Sequence, residues 1–316
     1  MKKKISLFCG GRGSSSIIKY LSTKKNIELS LLINAYDDGK STGVLRKEIP
    51  NLLGPSDFRK NFSYLINYFS EEQRYLKKIF EFRITKNINA KKLYEILDKA
   101  LSNNDFNSNY IPREIKNIEN KIKKKIIKYT IISTKYLLNS NLNLNDFSFG
   151  NLVFSGIFLS TNQNFNLTIK KFSQFINSNV KIINISNNSD KWLISINKQN
   201  RIIKNEEELV NYKQKIPIKK LFLLDKNFKN FFIKNFNKIS NNNKLIFLRN
   251  KNSIPKINPE AKKIILNSDY IIYGPGTQYS SLFPSYLIAN KYIKKSNAKK
   301  IMVMNLEKDN DIFSLK

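Results

Sequence analysis

Residues 4–38, KISLFCGGRGSSSIIKYLSTKKNIELSLLINAYDD, predict how the fold begins. Apolar runs at residues 4–9 and 27–34 indicate two strands, and residues 14–24 between them indicate a helix that follows a glycine turn. Continuous apolar runs are typical of parallel strands that are buried on both faces. The β-turn-α-β order therefore predicts an α/β protein with a Rossmann-like, doubly wound, mostly parallel sheet and helices on both faces.

The turn after the first strand, CGGRGSSS, is a candidate phosphate site. Gly10, Gly11 and Gly13 let the backbone approach a ligand closely, and Ser14 is a candidate N-cap of the helix. Free N–H groups and the helix dipole favour an anion at such a position. The dinucleotide fingerprint is not met, because Ser16 stands where the third glycine is required. An ordinary strand-to-helix turn is therefore the alternative interpretation.

Two adjacent acids, Asp37 and Asp38, follow the second strand within INAYDDGKSTG, residues 33–43. The segment resembles the end of a nucleotide-binding P-loop, but Asn34 occupies the position where the first P-loop glycine is required. Carboxylates at the carboxyl end of a strand can bind a ribose, hold Mg²⁺ or polarise a hydroxyl. A solvated turn is the alternative. Charged and hydroxyl side chains follow on the same predicted rim, namely Lys40, Ser41 and Arg46.

A second strand-glycine-helix turn lies near the end of the sequence, in YGPGTQYSSLFPS, residues 273–285. Gly274 and Gly276 flank a proline that fixes the loop, and Thr277 follows them. Doubly wound folds bind ligands at the carboxyl ends of their strands, so the two glycine turns are expected to meet at one edge of the sheet. A purely structural turn is the alternative.

The middle of the chain is predicted to be helical. Residues 57–82 and 91–101 have the apolar spacing of core-facing helices. Residues 103–126 are polar and lysine-rich, which indicates a surface insertion or a solvated helix. We therefore expect a single α/β domain over residues 1–316, with a helical, lysine-rich insertion around 85–145.

Composition restricts the chemistry. The 316 residues include no histidine and one cysteine, Cys9, which excludes Ser-His-Asp and Cys-His nucleophile systems, His-ligated zinc and internal disulfides. Lysine and arginine number 56 against 24 acids, a net charge of +32. The lysines are scattered rather than clustered in a tail, so nucleic acid is not expected as the partner. A single cysteine and the lack of a signal peptide or membrane span predict a cytoplasmic protein.

Five segments, in this order along the chain, resemble the motifs of a known family. They are CGGRGSSS at 9–16, AYDDGKSTGVLRKE at 35–48, PSDFRKNFSYL at 55–65, FSFGN at 147–151 and SDYIIYGPGTQYSSLFPSYL at 268–287. Together they resemble the family that unites 2-phospho-L-lactate transferase (CofD) with the YvcK-type gluconeogenesis factors, over nearly the whole chain. The DDGKSTGVLRKE segment is more similar to the YvcK-type branch.

The resemblance implies a pocket for a nucleotide diphosphate between the two glycine turns. It adds Asp57, Arg59 and Asn151 to the candidate ligand-binding residues, because they stand at motif positions. The transferase branch moves phospholactate from a guanosine diphosphate conjugate to a deazaflavin hydroxyl with Mg²⁺. The regulatory branch resembles UDP-sugar-binding factors that are required for growth on gluconeogenic carbon and for cell-wall shape.

Two hypotheses for the function follow. In the first, the chain transfers a phospho-group from a nucleotide-linked donor: the glycine turns hold the diphosphate, and Asp37 or Asp38 binds Mg²⁺ and acts in catalysis. Asp57 and Arg59 would orient the acceptor or the nucleotide. In the alternative, the same pocket binds a nucleotide sugar without turnover and regulates a partner. The sequence decides neither the base, the acceptor nor the oligomeric state, and a homo-oligomer is compatible with it.

Overall fold

A computed structural model describes residues 2–66, 70–140, 142–176, 178–203, 208–209, 216–225 and 236–305. The chain divides into two compact units. The sheet unit consists of residues 1–40 and 183–316, and the helical unit consists of residues 41–182.

The main sheet has five strands in the order β3-β2-β1-β7-β8. Its strands are β1 Lys3–Phe8, β2 Ile27–Ile33, β3 Lys181–Asn184, β7 Tyr270–Tyr273 and β8 Lys299–Met302. β1 lies parallel to both β2 and β7, and β7 lies parallel to β8. Three helices accompany these strands, namely α1 Ser15–Ser22, α10 Pro259–Leu266 and α11 Phe283–Lys295. The predicted α/β fold with a mostly parallel sheet is confirmed.

The apolar runs that predicted buried strands form the core of the sheet unit. Phe8, Leu32 and Ile271, from three adjacent strands, belong to one buried cluster. Side chains of α10 and α11, including Ile265 and Ile288, belong to the same cluster. Removing this apolar surface from water contributes roughly 25 cal/mol for each Å² that is buried. Burial of the strands by helices therefore explains why the strands carry continuous rather than alternating apolar residues.

A second sheet, which the sequence reading did not predict, is antiparallel. Its strands are β4 Lys191–Asn197, β5 Ile202–Ile203 and β6 Ile218–Asp225, in the order β5-β4-β6. Its side chains alternate between two clusters, as the pleat of a strand requires. Leu193 joins the cluster that contains Phe8, whereas Trp192 and Ile194 join a second cluster with Leu248 of α9, Asn241–Lys251.

The helical unit is built around one helix that is buried over most of its length. Its helices are α2 Lys40–Glu48, α3 Ser56–Tyr64, α4 Glu71–Glu81, α5 Ala90–Asn103, a 3₁₀ turn Arg113–Asn117, α6 Asn120–Tyr136, α7 Phe149–Ser160 and α8 Phe165–Ser173. Every residue of α7 from 149 to 158 is buried. Phenylalanine rings surround it: Phe154 contacts Phe165 and Phe172, and Phe172 contacts Phe80.

The lysine-rich stretch at 103–126 contributes to the core of the helical unit as well as to its surface. Ile111, Ile115 and Ile118 are buried, and so is Ile126 at the end of the stretch. Lysine side chains of α6 such as Lys124 stay exposed. The isoleucines stabilise the unit by burial while the lysines keep the outer face of the helix hydrated. Within the described part of the chain, no helix is both long and apolar enough to cross a membrane.

Candidate functional site

The order of the strands places a topological switch point between β1 and β7. From β1 the chain continues through β2 to β3 on one side, whereas β7 is followed by β8 on the other side. The last residues of the two central strands, Phe8 and Tyr273, are paired in register. Open α/β sheets bind ligands in the crevice beyond the carboxyl ends of the strands at such a point. Both predicted glycine turns begin here.

The two glycine turns are in direct contact. A Cβ atom added to Gly13 would lie 2.4 Å from the carbonyl oxygen of Pro275 and 2.7 Å from the Cα of Gly276. A Cβ added to Gly274 would lie 2.6 Å from the carbonyl oxygen of Phe8 and 2.5 Å from the Oγ of Ser14. The Ser14 hydroxyl donates a hydrogen bond to the Pro275 carbonyl, 3.2 Å away. The expectation that the turns meet at one sheet edge is confirmed, and glycine is required because the backbones touch.

The first turn leaves a row of backbone donors without acceptors. The N–H groups of Gly11, Arg12, Gly13 and Ser14 have no hydrogen-bond acceptor among the residues that the structure describes. The side chain of Ser14 does not cap α1, because its hydroxyl is bonded to the second turn. Successive N–H groups ahead of a helix form a concave binding site for an anion. The arrangement leaves these donors available to an anion.

The glycine N–H groups of the second turn are already hydrogen-bonded within the protein, unlike the row of donors in the first turn. The N–H of Gly274 donates to Phe8, 3.0 Å away, and the N–H of Gly276 donates to the Oδ1 of Asn305 at 2.8 Å. These two glycines therefore act on the site by allowing close packing and, at Gly276, a φ of 145°. Thr277 offers a hydroxyl that is bonded to Ser280 and Ser281 at 2.8 and 2.9 Å.

The hydroxyl cluster of the second turn lies at the start of a π-helical turn, Gln278–Leu282, that leads into α11. π-helical turns are rare and occur frequently at functional sites. Asn34, the first residue after β2, donates its side-chain amide to the carbonyl of Ser281 and accepts the N–H of Tyr36. The end of β2 is thereby connected to the second turn.

The acidic pair lies beyond the end of β2. Asp37 and Asp38 are both half-buried, and Asp37 accepts the N–H of Gly39 at 3.1 Å in a local turn. Across the described ranges, no group of three or more Asp, Glu, His or Cys side chains is placed to hold a metal ion. Carboxylate oxygens suit Mg²⁺, which commonly takes one or two carboxylates and completes its shell with ligand phosphates and water.

The side chain of Lys40, at the end of the sheet unit, lies outside the described part of the chain, and the predicted site residues from Ser41 to Asn151 lie in the helical unit. There a chain of hydrogen bonds runs from Thr42 to Ser56 (2.5 Å), from Ser56 to Asn151 (3.1 Å) and from Asn151 to Arg59 (3.0 Å). These four side chains, from the first turns of α2, α3 and α7, are all buried. The structure thus brings Arg59 and Asn151 together. The other predicted positions of this unit, Ser41, Arg46 and Asp57, are also buried, and Asp57 forms an ion pair with Lys60 at 3.1 Å.

Arg59 is a buried cation that the protein holds through neutral groups. Its Nε donates to the Oδ1 of Asn151, and one terminal nitrogen donates to the carbonyl of Phe80 at 3.3 Å. Burial, followed by the nearby charge of Arg83, lowers the pKa of Arg59 to about 10. Gly150 allows this contact, since a Cβ there would lie 2.7 Å from the Cδ of Arg59. The described bonds of Arg59 therefore join α3 to the end of α4 and to α7.

Replacement of Asn151 by alanine is expected to destabilise the helical unit by about 2–3 kcal/mol. The buried Nε of Arg59 would lose its acceptor, which costs about 1–3 kcal/mol, and the hydroxyl of Ser56 would lose one of its two partners and keep Thr42. Urea denaturation followed by circular dichroism measures this loss. Asn143→Ala, at an exposed position, is the control and should change the unfolding free energy by less than about 0.5 kcal/mol. Equal stability of the two variants would contradict the network.

Two residues of the switch point, Asn34 and Asn305, were missed by the sequence reading. Both side chains bond to the backbone of the second turn, from β2 and from the chain after β8. Each asparagine follows the end of a parallel strand, which is the place where site residues collect in such folds. Their position after a strand could have identified them as site residues. The residue type could not, because asparagine is very common in this chain.

Comparison with known proteins identifies the family. Residues 5–311 match the family described as 2-phospho-L-lactate transferase CofD. The chain belongs to the CofD family. The family resemblance that the five motifs suggested is thereby confirmed.

Relatives of this CofD-family chain include proteins named for a metabolic role. The "Gluconeogenesis factor" of Bacillus subtilis is 22% identical over 307 residues, which cover 96% of this chain and 68% of that protein. A relative from Streptococcus pneumoniae is 33% identical over 89 residues, which cover 28% of this chain and 26% of the relative. A crystal structure of a Bacillus halodurans protein of the UPF0052 family has a TM-score of 0.62 at 22% identity, covering 96% of this chain and 70% of that one. The shared fold is clear.

Proposed function

We propose that this CofD-family chain binds a nucleotide diphosphate ligand at the switch point of its parallel sheet. The observation that carries the proposal is the row of N–H groups from Gly11 to Ser14, which have no acceptor among the described residues and lie against the second glycine turn. These donors lie at the N-terminus of α1, with Arg12 and Gly13 exposed and so open to a ligand, and a phosphate oxygen would accept from them with favourable charge.

We further propose that the chain is a transferase of the 2-phospho-L-lactate transferase type, which moves a phospho-group from a nucleotide-linked donor. Asp37 and Asp38 would hold Mg²⁺ together with the ligand phosphates. The ion would neutralise charge on the departing nucleotide, which is where phosphoryl-group chemistry needs stabilisation. The glycine turns would hold the diphosphate in one orientation and keep its oxygens out of bulk water.

A second candidate function is that of a regulator that binds a nucleotide sugar without turning it over. The name of the Bacillus subtilis relative, "Gluconeogenesis factor", favours it. The same N–H groups and the same rim would serve this function, because binding a diphosphate needs no metal-assisted step. Binding and turnover therefore have to be measured separately.

Calorimetric titration of the full chain with UDP, GDP and UDP-N-acetylglucosamine, with and without Mg²⁺, tests the common part of the proposal. Saturable binding of at least one of these nucleotides is expected, with inorganic phosphate as the weaker control. Failure of every nucleotide to bind, in the presence and in the absence of Mg²⁺, would contradict a nucleotide site.

Asp38→Asn separates the two candidate functions. In a transferase, loss of the carboxylate is expected to reduce the release of nucleoside monophosphate about 100-fold or more, because the variant loses the charge that holds Mg²⁺. In a regulator, nucleotide affinity should change little and neither protein should release product. Mass spectrometry of the reaction mixture gives the turnover, and titration gives the affinity. Unchanged turnover in the variant would remove Asp38 from the catalytic residues.

A further inference from the structure

After β8, the side chain of Asn305 forms two hydrogen bonds to the second glycine turn. The Oδ1 of Asn305 accepts the N–H of Gly276 at 2.8 Å, and its Nδ2 donates to the carbonyl of Gly276 at 3.0 Å. One planar amide thus bonds to both backbone polar groups of one residue. The N–H of Val303 also bonds to the carbonyl of Tyr273 at 2.9 Å, so Asn305 extends the pairing of β7 with β8 by one further step.

These two hydrogen bonds stabilise an unusual backbone conformation of Gly276. Its φ of 145° is a value that only glycine adopts readily, and a flexible Gly-Pro-Gly segment pays a large conformational entropy to remain in one state. Two hydrogen bonds from one rigid amide select that state. Asparagine suits this role, since it carries both a donor and an acceptor on a short side chain with few rotatable bonds.

The conformation of Gly276 determines the shape of the first turn's surroundings. The Cα of Gly276 and the carbonyl of Pro275 are the atoms nearest to the position of a Cβ on Gly13. The same carbonyl accepts the hydroxyl of Ser14, which is why that hydroxyl does not cap α1. Any displacement of the Pro275–Gly276 backbone therefore changes the space beside the N–H groups of Gly11–Ser14. It also frees the Ser14 hydroxyl, which can then accept one of those N–H groups in place of a ligand oxygen.

We infer that Asn305 is a positioning residue: by fixing Gly276, it holds the second turn against the first and so sets the affinity of the switch point for a diphosphate. The effect on ligand affinity rests on the proposed function, whereas the effect of Asn305 on the conformation of Gly276 does not. Asn305 acts through the backbone of Gly276 and needs no contact with the ligand.

Two variants test the inference, with Asn252→Ala as the matched control. Asn305→Ala removes both bonds, whereas Asn305→Asp keeps the size and the acceptor but loses the donor to the Gly276 carbonyl. Asn252 lies in the same unit and its Oδ1 accepts the N–H of Leu223 at 3.0 Å, a comparable bond that involves no residue of either turn. The Asp variant keeps the test possible if the Ala variant does not fold.

The first readout is hydrogen exchange of the peptide that contains residues 274–281, which requires no ligand. Each net hydrogen bond is worth a factor of about five, so exchange of the Gly276 amide is expected to rise about 25-fold in Asn305→Ala and about fivefold in Asn305→Asp. Asn252→Ala should leave that peptide unchanged. Unchanged exchange in both Asn305 variants would overturn the inference.

The second readout is the dissociation constant for the nucleotide that binds the unmodified chain best. We expect affinity to weaken about 25-fold in Asn305→Ala and to stay within about twofold in Asn252→Ala, even if both lose similar thermal stability. Equal affinity in all three proteins would overturn the inference. If the unmodified chain binds no nucleotide but exchange of residues 274–281 still rises in the variants, the proposed function fails while the grip of Asn305 on the turn stands.

Discussion

Gly13→Ala is expected to destabilise the sheet unit by about 3 kcal/mol and to abolish measurable nucleotide binding. The added Cβ would lie 2.4 Å from the carbonyl oxygen of Pro275 and 2.7 Å from the Cα of Gly276, distances that no real Cβ contact reaches. Both neighbours are backbone atoms, so no side chain can rotate away and the two turns must separate. Forced overpacking typically costs about 1–3 kcal/mol, and a backbone neighbour places this variant at the upper end.

The loss of binding has the same cause as the loss of stability. Separation of the turns moves Pro275 from Ser14 and opens the crevice in which the free N–H groups lie. Urea denaturation measures the first effect and calorimetric titration the second. Ser16→Ala, at an exposed position in the first turn of α1, is the control, and it should retain both stability and affinity. A Gly13→Ala protein with unmodified stability would show that the two turns do not touch in solution.

Gly156→Ala is expected to destabilise the helical unit by about 3 kcal/mol or more. Gly156 lies in α7, where it packs on α6 so closely that an added Cβ would lie 1.7 Å from the carbonyl oxygen of Tyr129 and 2.5 Å from its carbonyl carbon. In an unobstructed helix the same substitution stabilises by about 1 kcal/mol, because alanine has the higher helix propensity. The sign of the change in unfolding free energy therefore shows whether α7 packs this closely against α6 at Gly156.

The expected destabilisation reflects the central position of α7. All its residues from 149 to 158 are buried, so a shift away from α6 disturbs the phenylalanine contacts on its other sides. Lys128→Ala, on the solvent-exposed side of α6, should change the unfolding free energy by less than about 0.5 kcal/mol. A stabilised Gly156→Ala protein would contradict the crossing. Gly13→Ala and Gly156→Ala act in different units, so their effects are expected to add.

The elements that were predicted well are those whose signal is local. β1, α1 and β2 begin and end within about two residues of the ranges that the apolar runs and the glycine turn indicated. The second glycine turn was equally clear, because strand, Gly-Pro-Gly and helix follow one another directly. Strands buried on both faces leave a continuous apolar run, and a sequence displays such a run without help from the rest of the fold.

The antiparallel sheet of β4, β5 and β6 could not be predicted in the same way. The segment predicts short apolar strands and a turn at Gln199–Asn200, where β4 and β5 do form a hairpin, but nothing in 191–225 indicates that β6 pairs with β4 instead of joining the main sheet. The pairing of β4 with β6 depends on contacts between residues that are distant in the chain, from Asn197 with Ile218 to Lys191 with Asp225. Likewise, the polar composition of 103–126 concealed the buried Ile111, Ile115 and Ile118, because their exposure depends on what packs over them.

The fold class and the two glycine turns could be predicted from the sequence because each depends on residues that are adjacent in the chain, and the family could be predicted from five short motifs in a fixed order. Which donors each turn can offer a ligand depends on the tertiary structure: the N–H groups of Gly11–Ser14 have no acceptor within the described ranges, whereas those of Gly274 and Gly276 donate to Phe8 and Asn305. A hydrogen bond between residues 29 positions apart leaves no trace in either local segment. A backbone N–H group gains such an acceptor only when the chain folds and brings the two residues together in space.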